Sequence, residues 1–228
     1  MDLNELKGHL EGKSIKESMA ILANLFPEKV IFTTSFGIED QVITQKIFSN
    51  NLNIKVATVD TGRLFSETYE VFYHTLMRFG RTIHTYFPDY QSVEELVTKK
   101  GPYSFYGSTE DRKECCRIRK AVPLGRALKG MQVWISGIRS EHSEYRGQMQ
   151  QLEYDKNKKI FKYYPLFNQT YQEVMQYAKE KYIAYNTLHD NGYSSIGCQP
   201  CTRAIQPGED FRAGRWWWEN EGCKDCGE

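Results

Sequence analysis

The 228-residue sequence has no apolar run approaching the ~18 residues that a membrane-spanning helix needs. It has almost no net charge either: 30 Lys and Arg against 29 Asp and Glu leave +1, so no global field draws the chain to nucleic acid or a membrane. Internal repeats and low-complexity tracts are absent. The opening stretch, 1–14 (MDLNELKGHLEGKS), alternates charge with leucine and lacks the apolar core of a secretory signal. These absences predict a soluble, cytoplasmic protein with no nucleic-acid or membrane partner. What is present excludes general disorder. Hydrophobic residues make up 40% and aromatics 14%, enough to bury a core in one large domain or two small ones.

Cysteine is sparse but unevenly placed. The six fall as three close pairs: Cys115-Cys116, Cys198-x-x-Cys201 and Cys223-x-x-Cys226. A chain of this length without an export signal does not need disulfide staples, and in a reducing compartment such pairs point to metal or redox chemistry. Cys115 and Cys116 are adjacent, with Cα atoms ~3.8 Å apart, so a mutual disulfide is difficult while both thiols can reach one centre. The two-residue gap of Cys198 and Cys201 lets both sulfurs bind one metal or cluster. Four thiolates fit either a zinc Cys₄ site or a [4Fe–4S] cluster, and the bland alternative is two buried thiols beside a separate redox CxxC. Arg112, Lys113, Arg117, Arg119 and Lys120 flank the first pair with positive charge.

The first two-thirds alternates strand and helix patterns. Strands are expected near 29–34, 54–59, 82–87 and 131–136, with helices near 38–48 and 66–79 between them. Ser14 with Glu17, Ser92 with Glu95, and Thr170 with Glu173 read as helix-opening capping boxes. A hairpin with a DKNKK tip is expected over 151–164. The alternation predicts an α/β fold with a mostly parallel sheet and helices on both faces. Residues 1–185 would form this α/β domain, and the Cys-, Arg- and Trp-rich 186–228 would fold back on it. In such sheets ligands bind beyond the strand ends, so the loops 35–40, 60–65 and 137–146 predict one cleft.

The loop Ser35–Asp40 joins a strand to a helix, where backbone N–H groups, the helix N-terminus and the Ser35 hydroxyl can hold an anion. It lacks the Gly-Lys-Ser/Thr ending of a Walker loop. It is similar to the Ser-Gly-Gly-x-Asp-Ser loop of ATP pyrophosphatases, but Phe36 stands where a glycine would be and Gln41 follows Asp40. The lost glycine limits close wrapping of a diphosphate, which argues for a smaller or differently shaped anion than the tail of ATP. In the tail, Arg212 and Arg215 at i, i+3 could share a helical face and grip phosphate or sulfate. One of Trp216, Trp217 and Trp218 could stack on a purine or pack as a lid on the core. Cys226, with the tail's guanidinium groups and Lys120 to lower its pKa, is a candidate nucleophile.

Ser35–Asp40, Asp60–Phe65 (DTGRLF), Cys115-Cys116 with Arg117–Lys120, 192–203 (GYSSIGCQPCTR) and Pro207–Glu219 (PGEDFRAGRWWWE) together resemble the assimilatory sulfonucleotide reductases. The narrower resemblance is to their iron–sulfur type, which acts on adenosine 5′-phosphosulfate (APS), and it runs in order from about Val30 to Cys226. It implies an adenine-nucleotide alpha-hydrolase-like fold and a [4Fe–4S] cluster on Cys115, Cys116, Cys198 and Cys201. It implies a nucleotide cleft lined by Ser35, Gly37, Glu39, Asp60, Thr61, Gly62, Gly137 and Trp216, with Lys120, Arg146, Arg212 and Arg215 neutralising the phosphosulfate. Cys226 would attack sulfur, AMP would leave, and thioredoxin or glutaredoxin would release sulfite from the S-sulfocysteine. Homo-oligomerisation is left open, as is use of the 3′-phosphorylated substrate. An adenylating ATP-pyrophosphatase-like enzyme and a non-catalytic zinc-binding nucleotide module are the other readings.

The sequence departs from the family pattern at three places. Where the family ends in Glu-Cys-Gly-Leu-His, this sequence reads Asp225-Cys226-Gly227-Glu228, so weaker tail closure is expected. Where the family often has two adjacent arginines, it has Arg139-Ser140. Cys223 is additional, and is read either as an internal resolving thiol for S-sulfonated Cys226 or as a spectator.

Overall fold

Capping chemistry fixes where most helices begin. The Ser14 hydroxyl accepts the Glu17 N–H while Glu17 accepts the Ser14 N–H, and Thr170 and Glu173 repeat the exchange. The expected box at Ser92 is corrected. Asp89 is the N-cap there, and its carboxylate accepts both the N–H and the hydroxyl of Ser92 at 2.9 Å. A carboxylate one turn earlier takes the orphan N–H, so Ser92 is left as a donor inside the first turn.

A computed structural model describes residues 1–219. Cys223 and Cys226, with the roles expected of them, lie outside the described residues. The chain runs α1 (Leu3–Leu10), α2 (Ile15–Leu25), β1 (Val30–Thr34), α3 (Ile38–Ser49), β2 (Lys55–Val59), α4 (Ser66–Phe79) and β3 (His84–Tyr86). Next come α5 (Tyr90–Lys100), α6 (Thr109–Cys116), α7 (Val122–Leu128) and β4 (Val133–Ile135). The rest is α8 (Glu144–Gly147), β5 (Leu152–Asp155), β6 (Ile160–Tyr163) and α9 (Tyr171–Glu180).

The strands form one mixed, mostly parallel sheet in the order β3-β2-β1-β4-β6-β5. β1 pairs in parallel with β4 and β4 with β6, while β5 closes the hairpin antiparallel to β6. Val30, Ile31 and Phe32 are consecutive and each no more than 1% exposed, so both faces of β1 are covered. Because β1 and β4 are parallel neighbours, the loops that follow them leave the same end of the sheet.

The chain divides into two compact units that are interleaved in sequence. The first comprises Met1–Ala57, Glu70–His84 and Gly130–Asn186; its core joins Met19 and Leu22 of α2 to Ile43, Ile135 and Val174. The second comprises Thr58–Tyr69, Thr85–Lys129 and the segment from Thr187 onward. Its core is a separate cluster containing Leu96, Phe105, Ile118 and Trp216 together with four cysteines. Among the described residues no helix is long and apolar enough to cross a membrane.

Candidate functional site

In the first unit, the loop after β1 takes the glycine-like conformation without the glycine. Phe36 has φ of +61°, and its ring is buried and stacked on Phe72 at 4.7 Å. Ring burial offsets the left-handed backbone. The Ser35 N–H and hydroxyl both donate to Asp40 Oδ2, at 2.6 and 2.8 Å, so these expected anion donors are engaged within their own loop. Gly37 is the N-cap of α3 and supplies no side chain to its first turn, which leaves the helix N-terminus open to another partner.

The loop after β4 closes on this one. A methyl group at Gly137 would stand 2.3 Å from Asp40 Oδ1 and 3.0 Å from Glu39 Cβ, so only glycine fits. The Arg139 side chain is fully buried and donates through Nε to Glu39 Oε1 at 2.8 Å and through Nη1 to Glu141 at 2.6 Å. His142 Nε2 lies 3.0 Å from the same Glu39 oxygen, and Arg146 Nη1 lies 3.0 Å from His142 Nδ1. Burial alone would raise the Glu39 pKa. The hydrogen bonds and charge of its two neighbours outweigh it and hold the carboxyl at about 2. Glu39 is therefore an ionised anchor for Arg139 and His142. Sequence reasoning placed Glu39 and Arg146 here but missed Arg139 and His142 as their partners.

In the second unit, the loop 60–65 meets the cysteines. Asp60 accepts the Gly62 N–H at 2.8 Å and the Tyr69 hydroxyl at 3.0 Å, and burial with that carboxylate pushes the Tyr69 pKa up to about 12. Gly62 has φ of +71° and lies against the Arg119 guanidinium. The Thr61 hydroxyl is 3.2 Å from Cys198 Sγ, and the Thr61 carbonyl accepts from Arg119 at 2.8 Å. The Gln199 N–H donates to the Arg63 carbonyl, and the Tyr106 hydroxyl to the Pro200 carbonyl. The Cys-x-x-Cys turn is thus held from both sides.

Cys115, Cys116, Cys198 and Cys201 share one apolar cluster with Phe105 and Trp216, and all four are free thiols. Burial, with the neighbouring Cys198, pushes Cys201 up to about 12, and burial likewise raises Cys115. Arg119, Arg63 and Arg215 act in the opposite direction on these thiols. Among the described residues no three Cys, His, Asp or Glu side chains surround a single-ion position. The donor set is four thiols, Cys115 and Cys201 buried and Cys116 and Cys198 half-buried, in a cation-flanked cluster reached from two distant stretches.

The tail supplies the cluster's lid. The expectation that Arg212 and Arg215 share a helical face is corrected: 211–214 is a run of turns that leads into a bridge between Thr202 and Arg215. A Cβ at Gly214 would meet the Arg203 carbonyl oxygen at 2.2 Å, and this close chain-to-chain approach replaces a helix. Both guanidinium groups instead gather on one ring, at 5.9 Å and 5.0 Å from Trp216, which is 3% exposed. Arg112 stacks on that ring too, at 4.4 Å, and grips Glu219 with two 2.8 Å hydrogen bonds. Trp217 is the exposed tryptophan of the three. Lys120 is exposed in the π-helical turn Arg117–Ala121 that follows Cys116.

Residues 29–204 match the phosphoadenosine phosphosulfate reductase domain. The chain belongs to this family. Over 99% of its length it is 42% identical to the adenosine 5′-phosphosulfate reductase of Agrobacterium fabrum, covering 86% of that protein. The adenosine 5′-phosphosulfate reductase of Allochromatium vinosum is likewise 42% identical over 88% of this chain and 78% of its own length. Among solved structures, the phosphoadenylyl-sulfate reductase of Candida auris, in a phosphate complex, superposes with a TM-score of 0.74 at 26% identity, over 89% of this chain and 96% of that one. Within the reductase family's fold, then, one unit of this chain presents a guanidinium-and-carboxylate network and the other a four-thiol cluster.

Proposed function

We propose that the protein reduces APS to sulfite and AMP in sulfate assimilation, using Cys226 as nucleophile and thioredoxin or glutaredoxin as reductant in the cytoplasm. The observation that carries this reading is the gathering of the Cys115-Cys116 and Cys198-Cys201 pairs into one apolar cluster flanked by arginine. It is supported by relatives named for APS reduction over nearly the whole chain.

Cys115, Cys116, Cys198 and Cys201 would hold a [4Fe–4S] cluster, which supplies a fixed anionic charge that organises the neighbouring cations. The two pairs together supply the four thiolates that such a cube takes, one for each iron. Arg119 and Arg63 favour the thiolate form such binding requires.

The chemistry then falls to the chain's own side chains. Arg146, Lys120, Arg212 and Arg215 neutralise the phosphosulfate. The Cys226 thiolate attacks sulfur, the sulfur–oxygen bond to AMP breaks, and AMP leaves with that electron pair. A dithiol partner attacks Cys226 Sγ and sulfite departs. The partner's second thiol resolves the mixed disulfide, so sulfur gains two electrons and the dithiol becomes a disulfide.

The test is anaerobic assay of purified protein with APS, with and without thioredoxin. Brown protein containing iron and sulfide, sulfite production, and loss of turnover by more than about 10³-fold in Cys226→Ser are expected. Colourless protein with stoichiometric zinc, or undiminished turnover by Cys226→Ser, refutes the proposal. The Candida auris likeness favours one second reading, use of the 3′-phosphorylated nucleotide, which comparison of kcat/KM for the two nucleotides decides.

A further inference from the structure

The imidazole of His142 is enclosed by partners that fix its proton. Nδ1 lies 3.2 Å from the Arg139 backbone nitrogen and 3.0 Å from Arg146 Nη1. Both of these groups can only donate, so Nδ1 accepts and carries no hydrogen. Nε2 lies 3.0 Å from Glu39 Oε1, which as an ionised carboxylate can only accept. The ring is therefore the neutral Nε2–H tautomer, and donation runs from Arg146 to His142 to Glu39.

We propose that His142 is a positioning residue for anion capture: as a neutral bridge it holds the Arg146 guanidinium in place, and its protonation lets that guanidinium go. The inference rests on the reading of Arg146 as a ligand of the phosphosulfate.

Protonation would place N–H groups at both ring nitrogens. Nδ1–H would then face two donors, and the new imidazolium charge would stand between the Arg139 and Arg146 cations. The charged groups in this arrangement are Glu39 from α3, Arg139 and Glu141 from the loop after β4, and Arg146 from α8. Arg139 cannot yield, being fully buried and tied to both Glu39 and Glu141. Arg146 is only partly buried, and its contact is the one that gives way. Burial pushes the imidazole pKa below the ordinary histidine value, so release belongs to the acid side of about pH 6.5. An amide has one acceptor and one donor group and can make the same bridge without titrating.

Steady-state kinetics with APS across about pH 5 to 8, run side by side on the wild type, His142→Ala and His142→Gln, test this. His142→Ala is expected to raise KM about tenfold with kcat within about twofold, the mark of lost binding rather than lost chemistry. Wild-type KM should climb below about pH 6.5, while His142→Gln keeps KM within about threefold at neutral pH and shows no acid climb. Unchanged KM in His142→Ala, or the same acid climb in His142→Gln, overturns the proposal, and the glutamine profile decides alone if the alanine variant does not fold. Imidazole nitrogen NMR reads the His142 tautomer whether or not the chain turns over APS. A proton on Nδ1 overturns this inference without touching the proposed function, whereas an inactive wild type with an Nε2–H ring refutes the function alone.

Discussion

Replacing Arg112 by methionine takes the partner from a buried carboxylate. Arg112 and Glu219 have side chains only 2% and 8% exposed, joined by two 2.8 Å hydrogen bonds, with the Trp216 ring 4.4 Å from the guanidinium carbon. Removing one member of such a pair costs about 3–5 kcal/mol, because the other charge is left buried and unpaired. The lost cation–π contact adds about 1 kcal/mol, part of which the methionine thioether recovers on the same ring. With each kcal/mol worth about 2–4 °C for a chain of this size, Arg112→Met should melt roughly 10 °C below wild type. The double variant Arg112→Met/Glu219→Leu leaves no charge behind and should recover to within about 2 kcal/mol of wild type. Thermal melts of wild type, both single variants and the double variant complete the cycle. A single variant as stable as wild type, or a double variant as poor as the sum of the singles, would refute the reasoning.

Gly137→Ala drives a methyl group into Asp40 and Glu39 and should cost about 1–3 kcal/mol, read as a lowered melting temperature with a raised KM for APS. Phe36→Gly relieves the left-handed backbone but empties the site stacked on Phe72; the net loss should be about 2–4 kcal/mol, and a gain in stability would show that the strain dominates. Glu39 has a folded pKa depressed from 4.5 to about 2, so its contribution is complete above pH 4.5 and is lost as pH falls towards 2. That contribution is about 3 kcal/mol. Acid unfolding followed by circular dichroism should be markedly less pH-dependent across this window in Glu39→Gln; equal slopes would show that Glu39 is not the titrating anchor.

Elements with a local cause were legible in the sequence. The runs at β1 and β4 are apolar because both faces of a parallel strand are buried, and the Ser14 and Thr170 boxes are closed within four residues. The Asp89 cap was obscured because Ser92 and Glu95 offered the same pattern three residues on. The Glu39–Arg139–His142 network was not legible at all: it joins residues about a hundred positions apart, and a charge buried by pairing has no periodicity to betray it. Arg212 and Arg215 were singled out as a pair, but their common partner is the Trp216 ring, which spacing along a helix could not reveal. The four cysteines share one apolar cluster, and each pair carried its own spacing signal in the sequence.

The interleaving of the two units has a consequence for biogenesis. Cys115 and Cys116 leave the ribosome well before Cys198 and Cys201, and the intervening 130–186 belongs to the other unit. The first two thiols must therefore wait, unshielded by Trp216, while a stretch irrelevant to them is translated. Any centre held by all four sulfurs, as proposed above, could be seated only after both stretches have been translated, and until then the earlier pair lacks the cover of Trp216.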